Sequence, residues 1–351
     1  MARFILSRRV ALRQYEIVKR YVDVVAYSYK TNPAVWEVLR ETDAMVGLSS
    51  MGSARRVQEL DRAVYYLQGE SEEEVRWLLD SGVRWLLVDN APELRALLGT
   101  LGRLDRSVNL LVRMKMREHT VYTGKHFVYG IDWRRVNELI PELRESPYVE
   151  SLGVHFHRKT QNVGEWSLVE DLSDALDERA MGELDVVNIG GGIPVRYANS
   201  RPNVGLVLSK VGELRDFLSA RGVRLMAEPG RFIAGPAVAL EATVLNVYSG
   251  TAVLDCSIFN AYMDTYLLNT RLPVLGERED RSGHRYLLKG RSPDSLDIFR
   301  YSVYLDRELR PGDRVVFLNA GAYNFHTDFN DMPRLETEVV EDFPFPVPEW
   351  L

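Results

Sequence analysis

The chain has 351 residues, 46% hydrophobic and 27% charged, which allows one large or two ordinary globular domains with a sizeable core. A net charge of −6 excludes the basic surface of a nucleic-acid-binding protein, and a single cysteine, Cys256, excludes an internal disulfide framework or a cysteine metal cluster. Six histidines occur without HExxH-type spacing, so no metal site is expected, and no segment approaches the roughly twenty apolar residues of a membrane helix.

The apolar run Phe4-Ile5-Leu6 is too short for a signal peptide and is followed by Arg8 and Arg9, so a reducing cytoplasm is the expected location. That run reads as a lone strand, and a helix follows over residues 10–18. Residues 23–29, rich in β-branched and aromatic side chains, read as a short buried strand. It should stop near Asn32, because Pro33 restricts Asn32 to extended geometry and suits the first turn of a helix. Lys30 therefore sits at the C-terminal lip of a strand that feeds a helix, where parallel α/β architectures bind ligands. Further strands are expected at 44–48, 63–67, 83–88, 108–113, 149–156, 185–189 and 223–227, with helical patterns such as 72–79 and 204–220 between them. Eight strand-then-helix units point to a (β/α)8 TIM barrel, with a doubly wound open sheet as the structural alternative.

Past Gly235-Pro236 the pattern changes. Strands are expected at 238–247, 252–256, 286–288, 314–318 and 335–340, separated by turns such as Arg310-Pro311-Gly312-Asp313, and clear helices disappear. The expected domains are a barrel over 8–235 and a C-terminal, mostly antiparallel β domain over 236–351, joined by the strand within 1–7. Residues 276–283, dense in charge, read as an exposed loop.

The chemistry-bearing residues lie at barrel lips. Gly190-Gly191-Gly192 follows the seventh strand, where bare backbone lets N–H groups approach a phosphate. Taken alone, it is as readily a flexible turn. Glu228-Pro229-Gly230-Arg231 follows the eighth strand, and its two charges could equally form a structural pair. With Lys30 added, these are the parts that pyridoxal phosphate needs. The lysine forms a Schiff base, the carboxylate keeps the pyridine nitrogen protonated, and Arg231 with the glycine amides grips the phosphate.

At these residues the chain resembles the alanine-racemase-fold pyridoxal-phosphate decarboxylases of basic amino acids, which include ornithine, lysine, arginine, diaminopimelate and carboxynorspermidine decarboxylases. Tyr29-Lys30-Thr31-Asn32 is similar to the family's Schiff-base segment. Val154-His155-Phe156-His157-Arg158-Lys159-Thr160 resembles its histidine motif, which implies that His157 stacks on the cofactor ring and Thr160 binds the phosphate. Ile189-Gly190-Gly191-Gly192 and Glu228-Pro229-Gly230-Arg231 resemble its phosphate and ring-nitrogen motifs. Arg113 matches an arginine that supports the stacked histidine, and Gly321-Ala322-Tyr323 a motif whose tyrosine, Tyr323, touches the phosphate. Gly290-Arg291-Ser292-Pro293-Asp294-Ser295-Leu296-Asp297 resembles the segment that reaches a partner's active site, which implies a homodimer with shared sites.

The resemblance implies removal of an α-carboxylate as CO2, because Glu228 can keep the ring nitrogen protonated and the cofactor a strong electron sink, whereas racemases of this fold place an arginine there. The β domain argues against the bare cofactor carrier of the family. Two positions depart from the pattern: Pro293 stands where the family has a cysteine that helps to protonate the product, and Gly47 where ornithine-type enzymes have an aspartate. Cys256 does not replace that thiol and reads as a buried strand cysteine. For the substrate, Asp294 matches the aspartate aimed at a distal amine, which favours ornithine or lysine and a diamine product. His119-Thr120-Val121-Tyr122-Thr123-Gly124 is similar instead to diaminopimelate enzymes. Leu254-Asp255-Cys256-Ser257 with Met263-Asp264 is similar to carboxynorspermidine ones, which makes Asp264 a candidate substrate ligand. Arg291 or Arg271 could take a distal carboxylate. A non-enzyme reading, a regulatory protein that keeps the cofactor but lacks turnover, is set against the intact Lys30, His157 and Glu228.

Overall fold

The computed structural model describes residues 1–116, 129–157, 159–324 and 326–351. Eight parallel strands close on themselves: Val24–Ser28, Met45–Leu48, Ala63–Tyr66, Trp85–Val88, Val108–Lys115, Val149–His155, Val186–Asn188 and Arg224–Ala227, the last pairing back to the first. The expected TIM barrel is therefore the fold, and the open-sheet alternative falls because both edges are paired. The helices between strands start where the sequence supplies a cap. Asn32 accepts from the Ala34 amide at 3.1 Å with Pro33 as the first helical residue, Ser71 and Glu74 form a reciprocal capping box, and Asn90 accepts from Glu93 at 2.9 Å.

Side chains alternate along each strand, so every second residue points into the barrel. Ala26, Val64, Trp85, Leu87, Leu111, Val186 and Met226 make an apolar plug there. Two residues further toward the C-terminal lip, the same rows continue as Ser28, Tyr66, Asp89, Arg113, Asn188 and Glu228. His155 and Gly47 complete this layer from the sixth and second strands. The barrel interior is thus dry at its base and polar at its top, which is where the chemistry is gathered.

The second sheet runs in the order Ile298–Leu305, His284–Lys289, Thr251–Leu254, Val238–Tyr248, Arg3–Ser7 and Thr337–Val340, with Arg314–Phe317 also paired to Val238–Tyr248. It is mostly antiparallel, with two parallel contacts. The strand Arg3–Ser7 is not alone, as its pattern suggested. It lies between Val238–Tyr248 and Thr337–Val340, and Phe4, Ile5 and Leu6 are buried. Three expectations are corrected here. The strand at Ile298–Leu305 was not anticipated. Two short helices, Ile258–Ala261 and Asp264–Leu267, follow the strand Thr251–Leu254 where none was expected. Cys256 lies just beyond that strand, buried in a turn, with burial pushing its thiol well above the ordinary range.

The two domains are fastened at the Lys30 turn. Asn32 donates from Nδ2 to the Gly321 carbonyl at 3.0 Å, and the Tyr323 amide donates to the Thr31 carbonyl at 3.0 Å. The turn itself, Tyr29–Thr31, is a single 3-10 turn, so the strand ends two residues before Lys30.

Candidate active site

Glu228 is 5% exposed and both of its oxygens are engaged. Asn188 donates from Nδ2 to Oε1 at 2.6 Å, and the Tyr66 hydroxyl donates to Oε2. Burial raises the carboxyl pKa, while these two donors and the charges of Lys30 and Arg113 pull it back toward the ionised form. Tyr66 also meets His155, its hydroxyl 3.2 Å from Nε2 and the rings edge to face at 5.5 Å. Next to this group, His157 accepts from the Gly191 amide through Nδ1 at 3.2 Å. Its pKa falls to about 4 through burial and the nearby charges of Arg113 and Lys30, so the imidazole is neutral near pH 7. Arg113 pairs with Asp89 at 3.0 Å and lies 4.7 Å from the Tyr129 ring centroid. The Lys30 side chain is exposed, and among the described residues its ammonium has no hydrogen bond or ion pair, although its charge is felt by Glu228, His155 and His157.

The glycine loop needs its glycines for space. A Cβ at Gly191 would stand 2.8 Å from the Glu228 carbonyl oxygen, and one at Gly192 2.5 Å from that of Lys159, with φ at +98°. The loop is held by the Glu228 amide donating to the Gly190 carbonyl at 2.7 Å and that of Asn162 to Gly192 at 2.9 Å. Thr160, next to this loop, is exposed.

Arg231 is buried. Its Nη1 donates to the Tyr197 hydroxyl at 2.7 Å and its Nη2 to Asp264 at 2.6 Å, while Nε is buried without a partner and the guanidinium lies 5.1 Å from the Tyr323 ring centroid. Asp264, expected as a candidate substrate ligand, is 3% exposed and pairs with the buried Arg231 guanidinium. Gly230 has no room for a Cβ, because the Thr31 hydroxyl fills that space, and this hydroxyl too is buried without a partner.

Asp294 and Arg291 are not brought to this group within the chain. They sit on the turn between His284–Lys289 and Ile298–Leu305, and among the described residues neither side chain has an ion-pair partner. The half-buried Asp294 carboxylate accepts, among the described residues, only from the Leu296 amide at 2.7 Å. Residues 119–124, similar to diaminopimelate enzymes, and Arg158 of the histidine motif lie outside the described residues. The sequence reading missed Tyr66, Asn188 and Asp89. Each is two places beyond a residue of the apolar plug, so the alternation that places Glu228 would have found them.

The residues fit pyridoxal phosphate. A lysine unpaired among the described residues, a neutral imidazole and a buried carboxylate gather at the C-terminal end of the barrel, close enough that the lysine's charge is felt by the other two. Nearby, the Gly192 amide, Arg231 Nε and the Thr31 hydroxyl, each without a hydrogen-bond partner among the described residues, offer donors to an anion, while the Gly190 and Gly191 amides are already given to Asn188 and His157. When bound, the cofactor supplies an electron sink for the pair left as CO2 departs. Lys30 would hold it covalently, Glu228 would keep the proton at the ring nitrogen, and the Gly192 amide with Arg231 would help to orient its phosphate.

The comparisons with known proteins agree. The chain is 26% identical over 346 residues to diaminopimelate decarboxylase of Methanothermobacter thermautotrophicus, spanning 90% of this chain and 79% of that one. Its fold superposes on lysine/ornithine decarboxylase of Vibrio vulnificus complexed with cadaverine with a TM-score of 0.79 at 24% identity, covering 97% and 94% of the two chains. For diaminopimelate decarboxylase of Helicobacter pylori complexed with L-lysine, the TM-score is 0.81 at 20% identity, covering 98% and 92%. Residues 8–235 match the pyridoxal-binding domain of pyridoxal-dependent decarboxylases, and the chain belongs to that family.

Proposed function

We propose that the enzyme removes the α-carboxylate of a basic amino acid of the ornithine or lysine type and releases a diamine. The observation that carries this reading is Asp294: a half-buried carboxylate without a cationic partner among the described residues, on a turn that also exposes Leu296 at 48%. A carboxylate in that setting is the natural acceptor for a distal ammonium. It acts in the site of a second copy, so the working unit is a two-fold homodimer with two shared sites. Lys30, His157 and Glu228 carry the reaction centre, with Arg113 behind His157. The glycine loop, Thr160, Gly230, Arg231 and Tyr323 surround the phosphate.

A second reading is diaminopimelate, whose distal end carries both an ammonium and a carboxylate. It is favoured by Arg291, exposed and without an ion-pair partner among the described residues, three places before Asp294. The similarity to diaminopimelate decarboxylase of Methanothermobacter thermautotrophicus supports the same reading.

The test is CO2 release from ornithine, lysine, arginine and meso-diaminopimelate by the purified protein. Ornithine or lysine should be the best substrate, and Asp294→Ala should lower kcat/KM for it about tenfold or more, as expected when a charge-assisted contact is lost. Preference for diaminopimelate, impaired by Arg291→Ala, would replace the first reading with the second. Absorbance of bound cofactor without CO2 from any of the four would support the non-enzyme reading. Mixing Lys30→Ala with Asp294→Ala chains should restore about a quarter of wild-type activity if sites are shared.

A further inference from the structure

The polar layer at the top of the barrel contains a side chain that neither covalent attachment nor phosphate binding calls for. Tyr66 ends the third barrel strand, and its hydroxyl lies between two buried groups, Glu228 and His155. The direction of the hydrogen bonds follows from counting protons. To hold the proton of a pyridine nitrogen Glu228 must be ionised, and an ionised carboxylate can only accept, so the single hydroxyl proton of Tyr66 is given to Oε2. The contact 3.2 Å away at His155 Nε2 must then be an N–H donating to the Tyr66 oxygen. The other nitrogen of that ring agrees: among the described residues Nδ1 is buried without a partner, and an unprotonated nitrogen there leaves only a lone pair unmatched. Burial and the charges of Arg113 and Lys30 keep His155 neutral, so it stays in this one-proton form. The result is a one-way chain from His155 through Tyr66 to Glu228.

Each carboxylate oxygen has two lone pairs. Asn188 uses one on Oε1 and Tyr66 one on Oε2, which leaves an acceptor position on each. Gly47 keeps the flank of Oε2 open, since even a Cβ there would stand 3.5 Å from that oxygen. An aspartate at this position, the residue of ornithine-type enzymes, would set a second carboxylate against the first. A tyrosine serving only to pack against His155 would not need its hydroxyl, whereas here a half-buried phenol places its oxygen between two buried groups.

We propose that Tyr66 is a positioning residue for the cofactor: its hydroxyl, oriented by His155, fixes the Glu228 carboxylate that holds the proton of the pyridine nitrogen. This rests on the cofactor assigned through family membership and is independent of the amino acid decarboxylated.

The experiment is a double-mutant cycle of Tyr66→Phe and Glu228→Gln, read by titrating apoprotein with pyridoxal phosphate and by the pH dependence of the bound cofactor's absorbance. With Glu228 present, Tyr66→Phe should weaken cofactor binding about ten- to hundredfold, the range for losing a hydrogen bond to a charged group. The acid limb of the spectral pH profile should also move to higher pH. In the Glu228→Gln background, the same change should alter affinity by less than about twofold, because Tyr66 acts only through that carboxylate. Site-specific fluorotyrosine at position 66 retains the fold and strengthens the donor, so it should move the acid limb the opposite way. Equal effects of Tyr66→Phe in both backgrounds, no effect in either, or tighter cofactor binding without the hydroxyl would each overturn the proposal. A wild-type protein that develops no cofactor absorbance would overturn the cofactor assignment itself.

Discussion

Asp297 gives the sharpest test of how the turn bearing Asp294 is held. Its side chain is fully buried; Oδ1 accepts from the Ile258 amide at 2.9 Å and Oδ2 from the Ser292 amide at 3.0 Å. The carboxylate fills the space beside Gly290, where a Cβ would collide with it. Asp297→Asn preserves the shape but turns one acceptor into a donor facing an N–H that cannot leave. One charge-assisted bond is lost, worth roughly 1.5–3 kcal/mol, and a buried donor is left without a partner, so the expected destabilisation is about 3 kcal/mol. Urea unfolding should show a lower midpoint at unchanged slope. Asp294→Asn, on the same turn, loses at most one bond in a half-buried setting and should cost less than about 1 kcal/mol. Asp297→Asn within about 0.5 kcal/mol of wild type would refute the view that this carboxylate anchors the turn.

Two further outcomes follow from buried charge. His157 has a native pKa of about 4 against an ordinary 6.5, so between these values the unfolded chain binds a proton that the native one does not. Stability therefore falls as pH drops through that window, by about 3 kcal/mol in full, and unfolding of His157→Gln followed from pH 7 to 4.5 should be flatter than wild type by about 2 kcal/mol. Equal slopes would sink the assignment of a buried neutral imidazole. Asp264→Ala strands the Arg231 guanidinium and should cost about 3–5 kcal/mol in urea unfolding, whereas removing both charges with Arg231→Met should recover most of the loss.

Much of this architecture was readable in advance because it rests on local rules. The end of the strand before Lys30 follows from Asn32-Pro33, and the barrel strands follow from short β-branched runs between helical patterns. Lys30 and Glu228 were legible only together: a lysine at a strand end is by itself most simply a solvated one, and it is its combination with Gly190-Gly191-Gly192 and Glu228-Pro229-Gly230-Arg231 that points to chemistry. The partners of these residues were less legible. Tyr66 ends a run of aromatic and apolar residues and looks like core; its function depends on Glu228 and His155, brought beside it only when the barrel closes. Asp264 carries no sequence mark that distinguishes a ligand for substrate from a partner for Arg231, because that choice depends on how a short helix packs on the barrel. Cys256 illustrates the ordinary uncertainty of strand ends, where an apolar pattern continues past the last ladder bond.

The pairing of Arg3–Ser7 has a consequence for synthesis. Its register sets Arg3 opposite Glu241, so this strand cannot find its neighbour until the ribosome has made almost the whole barrel. At typical elongation rates of about 5–20 residues per second, that is a wait of roughly ten to fifty seconds. Throughout it, Phe4, Ile5 and Leu6, all buried in the finished protein, form an unpaired apolar edge. Barrel folding can run ahead with its near-neighbour strand pairs, but the second sheet must be completed by a late, long-range capture of a segment made well before its partner. A chaperone that shields the nascent segment should therefore raise the yield of the whole enzyme, and a chain released before the Val238–Tyr248 strand emerges should aggregate through its earliest residues.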